Sequence, residues 1–208
     1  MDRQYYPLPL HELGAGAGCR RPTQGPLAPV VPESRALEVM TDFTRATPAT
    51  IRPQAPVDAA NQFMITRGVR LLVVVDDREN VLGVLTATDI LGEKAMRVSM
   101  QLGVKHGELT VADLMTGAEH VEVLELADAE GARVGHIVET LRRAGRQYVL
   151  VVDEEVTAAK RSIDPPLKRS MVRGVFSISQ IARQLGVALQ TGAEVALTFA
   201  EIESAIAR

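Results

Sequence analysis

The chain has no tryptophan, one cysteine, and four Phe and three Tyr as its only aromatics among 208 residues. A core without large rings must be filled by Val, Leu, Ile, Met and Ala, so the hydrophobic fraction of 46% is almost wholly aliphatic. With Cys19 alone, no internal disulfide can form, and a reducing cytoplasm fits. Cys19 also lies in a Gly- and Pro-rich stretch with no histidine placed to activate it, which argues against a thiol nucleophile. The excess of one sign of charge is small too: a net charge of −3 and a pI near 5.9 give no reason to expect nucleic acid or an anionic membrane as partner. No apolar run approaches the roughly 20 residues of a membrane-spanning helix. The opening Met1-Asp2-Arg3-Gln4-Tyr5-Tyr6 lacks the charged-then-apolar order of a signal peptide. His11, His106, His120 and His136 are scattered without metal-ligand spacing, so no metal site is expected. No nucleophile elbow or phosphate-binding P-loop is present. With no acid, base and nucleophile converging, the chain reads as no enzyme and needs no cofactor.

What is present is a repetition. Glu38-Val39-Met40-Thr41 is answered by Asp113-Leu114-Met115-Thr116. Gly68-Val69-Arg70-Leu71-Leu72-Val73-Val74-Val75-Asp76 is answered by Gly145-Arg146-Gln147-Tyr148-Val149-Leu150-Val151-Val152-Asp153. Gly83-Val84-Leu85-Thr86-Ala87-Thr88-Asp89-Ile90 is answered by Gly174-Val175-Phe176-Ser177-Ile178-Ser179-Gln180-Ile181. Matching blocks in one order mark a tandem duplication. Two small units can bury surface against each other that neither buries alone, and the cleft between them is the first place to seek function.

Residues 1–34 hold six of the eleven prolines and the run Gly14-Ala15-Gly16-Ala17-Gly18, and read as an extended or disordered arm. Repeat 1 spans 35–105. Pro56 opens a helix with Val57, Ala60 and Met64 at helical spacing, and Gly68 stands where a C-terminal cap belongs. Leu71 to Val75 is a β-branched run expected to be a strand buried on both faces. Asp76 to Asn80 is a polar turn, Val81 to Thr86 the returning strand, and a second helix is expected from about Ala87 to Leu102. Repeat 2 spans 106–187 and copies this order, with Val134, Ile137, Val138 and Leu141 on one helical face. It differs in one interval: a loop from Glu154 to Arg173 carries Pro165-Pro166 and the cations Lys160, Arg161, Lys168, Arg169 and Arg173. Loops of that length are functional or mobile, or simply tolerated insertions; a ligand-responsive loop and a solvated excursion both stay open. The tail, 188–208, contains the capping box Thr198-Phe199-Ala200-Glu201 and the stripe Phe199, Ile202, Ile206, to be covered by its own body or another subunit.

The informative segment is Gly83 to Asp89, where a strand gives way to a helix. The first amides of that helix are unpaired and its dipole is positive, a ready phosphate site. Thr86 adds a hydroxyl, and Asp89 can offer two carboxylate oxygens to the vicinal hydroxyls of a ribose. Thr-x-x-Asp is equally a capping box that does no more than satisfy the helix start, and both readings stay open. In the second copy Ser177 keeps the hydroxyl, but Gln180 offers a neutral amide where Asp89 has a charge. The two half-sites are therefore expected to be unequal.

These repeated blocks, a Val-Met-Thr opening, a Gly before a Val-Val-Val-Asp-type strand and a closing Gly-x-x-Thr/Ser-x-x-Asp, resemble the cystathionine β-synthase (CBS) domain over about residues 36–186. The resemblance implies an α/β (α+β) fold: two tandem β-α-β-β-α units packed sheet to sheet as a Bateman module, often a homodimer. It implies a regulatory role through an adenosine-containing ligand (AMP, ADP, ATP or S-adenosylmethionine) held in the cleft between the repeats. In family terms Thr86 matches the phosphate-side hydroxyl and Asp89 the ribose acid, with the base against Ala132 and Ile137 of the opposite repeat. The mirror site would set Ser177 and Gln180 near Ala55 and Ala60, and Gln180 departs from the family's acid. The rival readings are a dimerisation module with degenerate sites, a nucleic-acid-associated regulator using the basic 154–173 loop, and a small nucleotide hydrolase.

Overall fold

The computed structural model describes residues 28–157 and 167–187 and the single residue Ile202, with the backbone alone described at 155–157 and 167–169. The elements run in the expected order. After β1 (Thr41–Asp42) and β2 (Thr50–Ile51), the chain forms α1 (Val57–Arg67), β3 (Leu71–Val75), β4 (Val81–Thr86), α2 (Ala87–Leu91) and α3 (Glu93–Leu102). The second half follows with α4 (Val111–Leu114), β5 (Thr116–Gly117), β6 (Val123–Glu125), α5 (Leu126–Gly131) and α6 (Val134–Ala144). It closes with β7 (Tyr148–Thr157), β8 (Leu167–Ser177) and α7 (Ile178–Gln184). Helices α1 and α6 both stop on a glycine in the left-handed region, Gly68 at φ 65° and Gly145 at φ 62°, where a Cβ would be strained.

Two four-stranded sheets result, in the orders β2-β3-β4-β5 and β1-β8-β7-β6. In each, a short strand lies parallel to the central one (β2 to β3, β6 to β7) and a hairpin follows (β3–β4, β7–β8). The fourth strand comes from the other repeat. β5 opens repeat 2 but pairs with β4 of repeat 1, setting Gly83 opposite Gly117 and Val84 opposite Thr116. β1 opens repeat 1 but pairs with β8 of repeat 2, setting Thr41 opposite Val175 and Asp42 opposite Gly174. The opening segments of the two copies are exchanged.

The cores are exchanged with them. One aliphatic cluster joins Val57, Ala60, Met64, Leu72, Val74 and Leu85 to Leu109, Val111 and Leu114. The other joins Val134, Ile137, Leu141, Val151 and Phe176 to Val30, Ala36, Val39 and Met40. Phe176 is the one aromatic among the buried core residues described. The crossing also explains the repeated glycine at the head of the third block. A Cβ on Gly83 would be driven into the Thr116 carbonyl oxygen, and one on Gly174 would stand 2.6 Å from that of Thr41. Each glycine is the surface on which the exchanged strand lies.

The structure departs from the sequence reading in three places and decides a fourth that was open. The helix expected from Ala87 to Leu102 is two, broken at Gly92, whose extended backbone (φ −95°, ψ −173°) ends α2 and starts α3. The interval 154–173, read as a loop, is in its described part an antiparallel ribbon, paired as far as Thr157 opposite Leu167. Val156, Thr157 and Val172 favour extended backbone, and β8 starts directly after Pro166, which could not donate to the ladder. Residues 158–166 lie outside the described part. Of the N-terminal arm, 28–34 is anchored: Val30 is buried and its amide donates to the Gln184 carbonyl at 3.0 Å. In the tail, Ile202 packs into the second core of its own chain, while Phe199 and Ile206 lie outside the described residues.

Candidate functional site at the strand-to-helix junctions

β4 delivers Thr86 to the first turn of α2, and the two residues of interest bond each other. The Asp89 amide donates to Thr86 Oγ1 at 3.1 Å, while Asp89 Oδ2 accepts from the Thr86 amide at 2.9 Å and from its hydroxyl at 2.6 Å. This is a complete capping box. It commits the hydroxyl proton of Thr86 to the carboxylate. The second oxygen, Oδ1, accepts from Lys94 Nζ at 2.9 Å. The Asp89 side chain is only 15% exposed, so both oxygens are held in a partly desolvated setting where an ion pair is stronger than at the open surface.

Burial first, and then the negative charge of Asp89, hold the Tyr148 phenol above its ordinary range. Tyr148 starts β7 opposite Ser177, the position that Leu71 occupies opposite Thr86 in the first repeat.

The second junction is wired differently. Ser177 caps α7 by accepting from the Gln180 amide at 3.3 Å. The Gln180 side chain turns to the exchanged segment: its Oε1 accepts from Thr41 Oγ1 at 2.9 Å and its Nε2 donates to the Val39 carbonyl at 3.2 Å. Beside it opens a cavity of about 870 Å³, within the range of small-ligand sites, lined by Glu38, Thr41, Asp42, Arg45, Glu130, Arg173 and Gln180 among others. Its walls hold an ion pair: Arg173 donates Nε to Asp42 Oδ1 at 3.0 Å and Nη2 to Oδ2 at 3.1 Å.

Of the base-side residues, Ala60 and Ile137 are buried inside the two cores. Ala55 and Ala132 occupy equivalent places, each partly buried against its core. Their carbonyls accept from the exchanged segments, Ala55 from the Val111 amide at 2.9 Å and Ala132 from the Ala36 amide at 3.1 Å. The structure thus brings Thr86 to Asp89 and Ser177 to Gln180, and uses the backbones of Ala55 and Ala132 to hold the crossing chains. Sequence reasoning missed Lys94. In an uninterrupted helix, five residues turn a side chain by ~140°, away from its partner's face. The break at Gly92 brings Lys94 back to Asp89, and Gly92 itself was the available signal. Thr41 and the Asp42–Arg173 pair were missed because their contacts depend on the strand exchange.

A family model described as CBS domain matches residues 36–95. No curated protein matches the chain. Among solved structures, an uncharacterized conserved protein from Pyrococcus horikoshii aligns at 18% identity and a TM-score of 0.51, over 78% of this chain and 100% of its own. The CBS-pair protein CBSX2 from Arabidopsis thaliana aligns at 20% identity and a TM-score of 0.45, over 72% of this chain and 92% of its own. The CBS domain pair of protein MJ0100, in complex with 5′-methylthioadenosine and S-adenosyl-L-methionine, aligns at 17% and 0.45, over 72% and 98%. These likenesses concern the fold.

Proposed function

From a chain that carries a CBS domain and repeats it in tandem, we propose a regulatory module that binds an adenosine-containing ligand between its repeats and acts on a partner protein. The support is the Asp89 carboxylate. It stands partly exposed in the first turn of α2, held there by Thr86 at the end of β4 and by Lys94 at the start of α3. A carboxylate so held is suited to the paired hydroxyls of a ribose. Gln180, whose amide already serves Thr41 and Val39, makes the other half-site the weaker ribose acceptor. Solved CBS-pair structures include CBSX2 in complex with AMP and MJ0100 with 5′-methylthioadenosine and S-adenosyl-L-methionine, which defines the compounds to try first. The module acts as a homodimer, with no catalytic step of its own.

A second reading has its own observation. Both oxygens of Asp89 are already engaged, by Thr86 and by Lys94, as they would be in a purely architectural cap. Calorimetric titration of the chain with AMP, ADP, ATP and S-adenosylmethionine separates the two. At least one compound is expected to bind saturably. Asp89→Ala then weakens it about ten- to a hundredfold, the loss of a charge-assisted acceptor, and Gln180→Ala much less. Silence with all four leaves the architectural reading standing, and equal losses from the two substitutions sink the inequality of the half-sites.

A further inference from the structure

We infer that Lys94 is a specificity-determining residue of the Asp89 half-site, a cation that leaves the carboxylate for the phosphate of an incoming nucleotide, so that the site selects adenosine phosphates over uncharged or cationic adenosine compounds. The inference rests on the adenosine reading above. Asp89 Oδ2 already accepts two hydrogen bonds from Thr86, and Oδ1 accepts one from Lys94 at 2.9 Å. A carboxylate has about four acceptor positions, so about one is left, whereas a ribose brings two hydroxyls. Seating the sugar therefore displaces the Lys94 ammonium. Its chain is 35% exposed, and its four-carbon stem lets it swing while its base stays fixed on α3.

What the displaced ammonium meets decides which ligand is favoured. With bare adenosine it exchanges an ion pair in a partly desolvated place for water, and that loss weakens binding. With a 5′-phosphate on the same sugar it finds a stronger anion nearby, and the exchange restores a charge-assisted contact. With S-adenosylmethionine the sulfonium would bring a positive charge toward the same ammonium. Thr86 is less suited to this role, because its hydroxyl is fixed to Asp89 by two reciprocal hydrogen bonds on a short side chain, whereas Lys94 is held by one. The position of Lys94 agrees: it is the second residue of α3, at the helix end where a cation is disfavoured, so Asp89 or an anion must hold it there.

The test titrates adenosine, AMP, ATP and S-adenosylmethionine into the full chain and into Lys94→Met and Lys94→Arg. Wild type is expected to bind AMP and ATP about tenfold or more tightly than adenosine, the worth of one charge-assisted contact. Lys94→Met should lower affinity for AMP and ATP by a similar factor while leaving or raising that for adenosine, since it frees Oδ1. Lys94→Arg should retain the preference for phosphate. A lysine that only steadied the fold would shift all ligands in one direction, and that result overturns the assignment. Should Lys94→Met not fold, equal wild-type affinity for adenosine and AMP overturns it as well. If wild type binds none of the four compounds, the adenosine reading itself fails and this inference with it.

Discussion

Two carboxylates are held well below the usual range, and their settings decide which one matters. Glu139 lies on α6 beside Arg142 and Arg143, which lower it to about 2. That cluster is local to one exposed helix face, and such pairs add little to stability. Asp42 is lowered chiefly by the Arg173 guanidinium and next by the Thr44 hydroxyl. It joins β1 to β8, segments 131 residues apart in sequence, with a bidentate pair that is only 18% exposed on the acid side. A carboxyl whose folded pKa is depressed stabilises the fold above its unfolded value, here 3.8, and the contribution drains away as pH falls through the folded one. We expect Asp42→Asn to cost about 1 kcal/mol at neutral pH. Urea midpoints of both proteins should converge as pH drops from about 4 toward 2, and a gap unchanged across that range would refute the linkage. None of this was legible in the sequence, where Asp42 is an ordinary acid and Arg173 one cation in an apparent loop.

At the scale of elements, the two-residue strands β1 and β5 carry the topology, and each lies on a glycine. Gly83→Ala should destabilise the chain by roughly 1–3 kcal/mol, the usual result of forcing a methyl into a filled space, because the Thr116 carbonyl would have to move and β5 with it. Gly131 in α5 is the control, with nothing within 4 Å of a built Cβ. There the same substitution should be neutral or stabilising by up to about 1 kcal/mol. Thermal or urea unfolding of the two variants reads this directly, and a tolerated Gly83→Ala would mean that β5 can be re-seated. The boundaries of β3, β4 and α1 were legible from β-branched runs, Pro56 and Gly68. The break between α2 and α3 was signalled by Gly92 alone, because the apolar spacing of α2 runs on into α3 while only the backbone turns.

For the whole molecule, the duplication is real in sequence but does not divide it in space. A cut near residue 105 would strip Leu109, Val111 and Leu114 from one core and leave Val30, Ala36 and Val39 with the wrong half. The assembled chain still exposes apolar side chains on and beside α3: Met96 and Met100 are 64% and 77% exposed, with Leu91 and Leu102 nearby. We expect a second copy of the chain to cover them. Sedimentation at tens of micromolar should show a dimer that Met100→Glu shifts toward monomer; a monomeric wild type would rule it out.

The sequence by itself determined the tandem repeat, the aliphatic character of the core, the glycine-ended helices, and the hydroxyl-headed helix starts at Thr86 and Ser177. Each is set by short-range chemistry: side-chain period, left-handed backbone at Gly68 and Gly145, and an oxygen three residues from the amide it accepts from. Only the tertiary structure decided which opening segment completes which sheet. It also decided that Lys94 meets Asp89, and that Gln180 is spent on Thr41 and Val39. The physical reason is that backbone edges carry no label. Glu38-Val39-Met40-Thr41 and Asp113-Leu114-Met115-Thr116 offer nearly the same strand to nearly the same glycine, so local preference cannot choose between them, and the choice falls to how the two aliphatic cores close around each crossing chain.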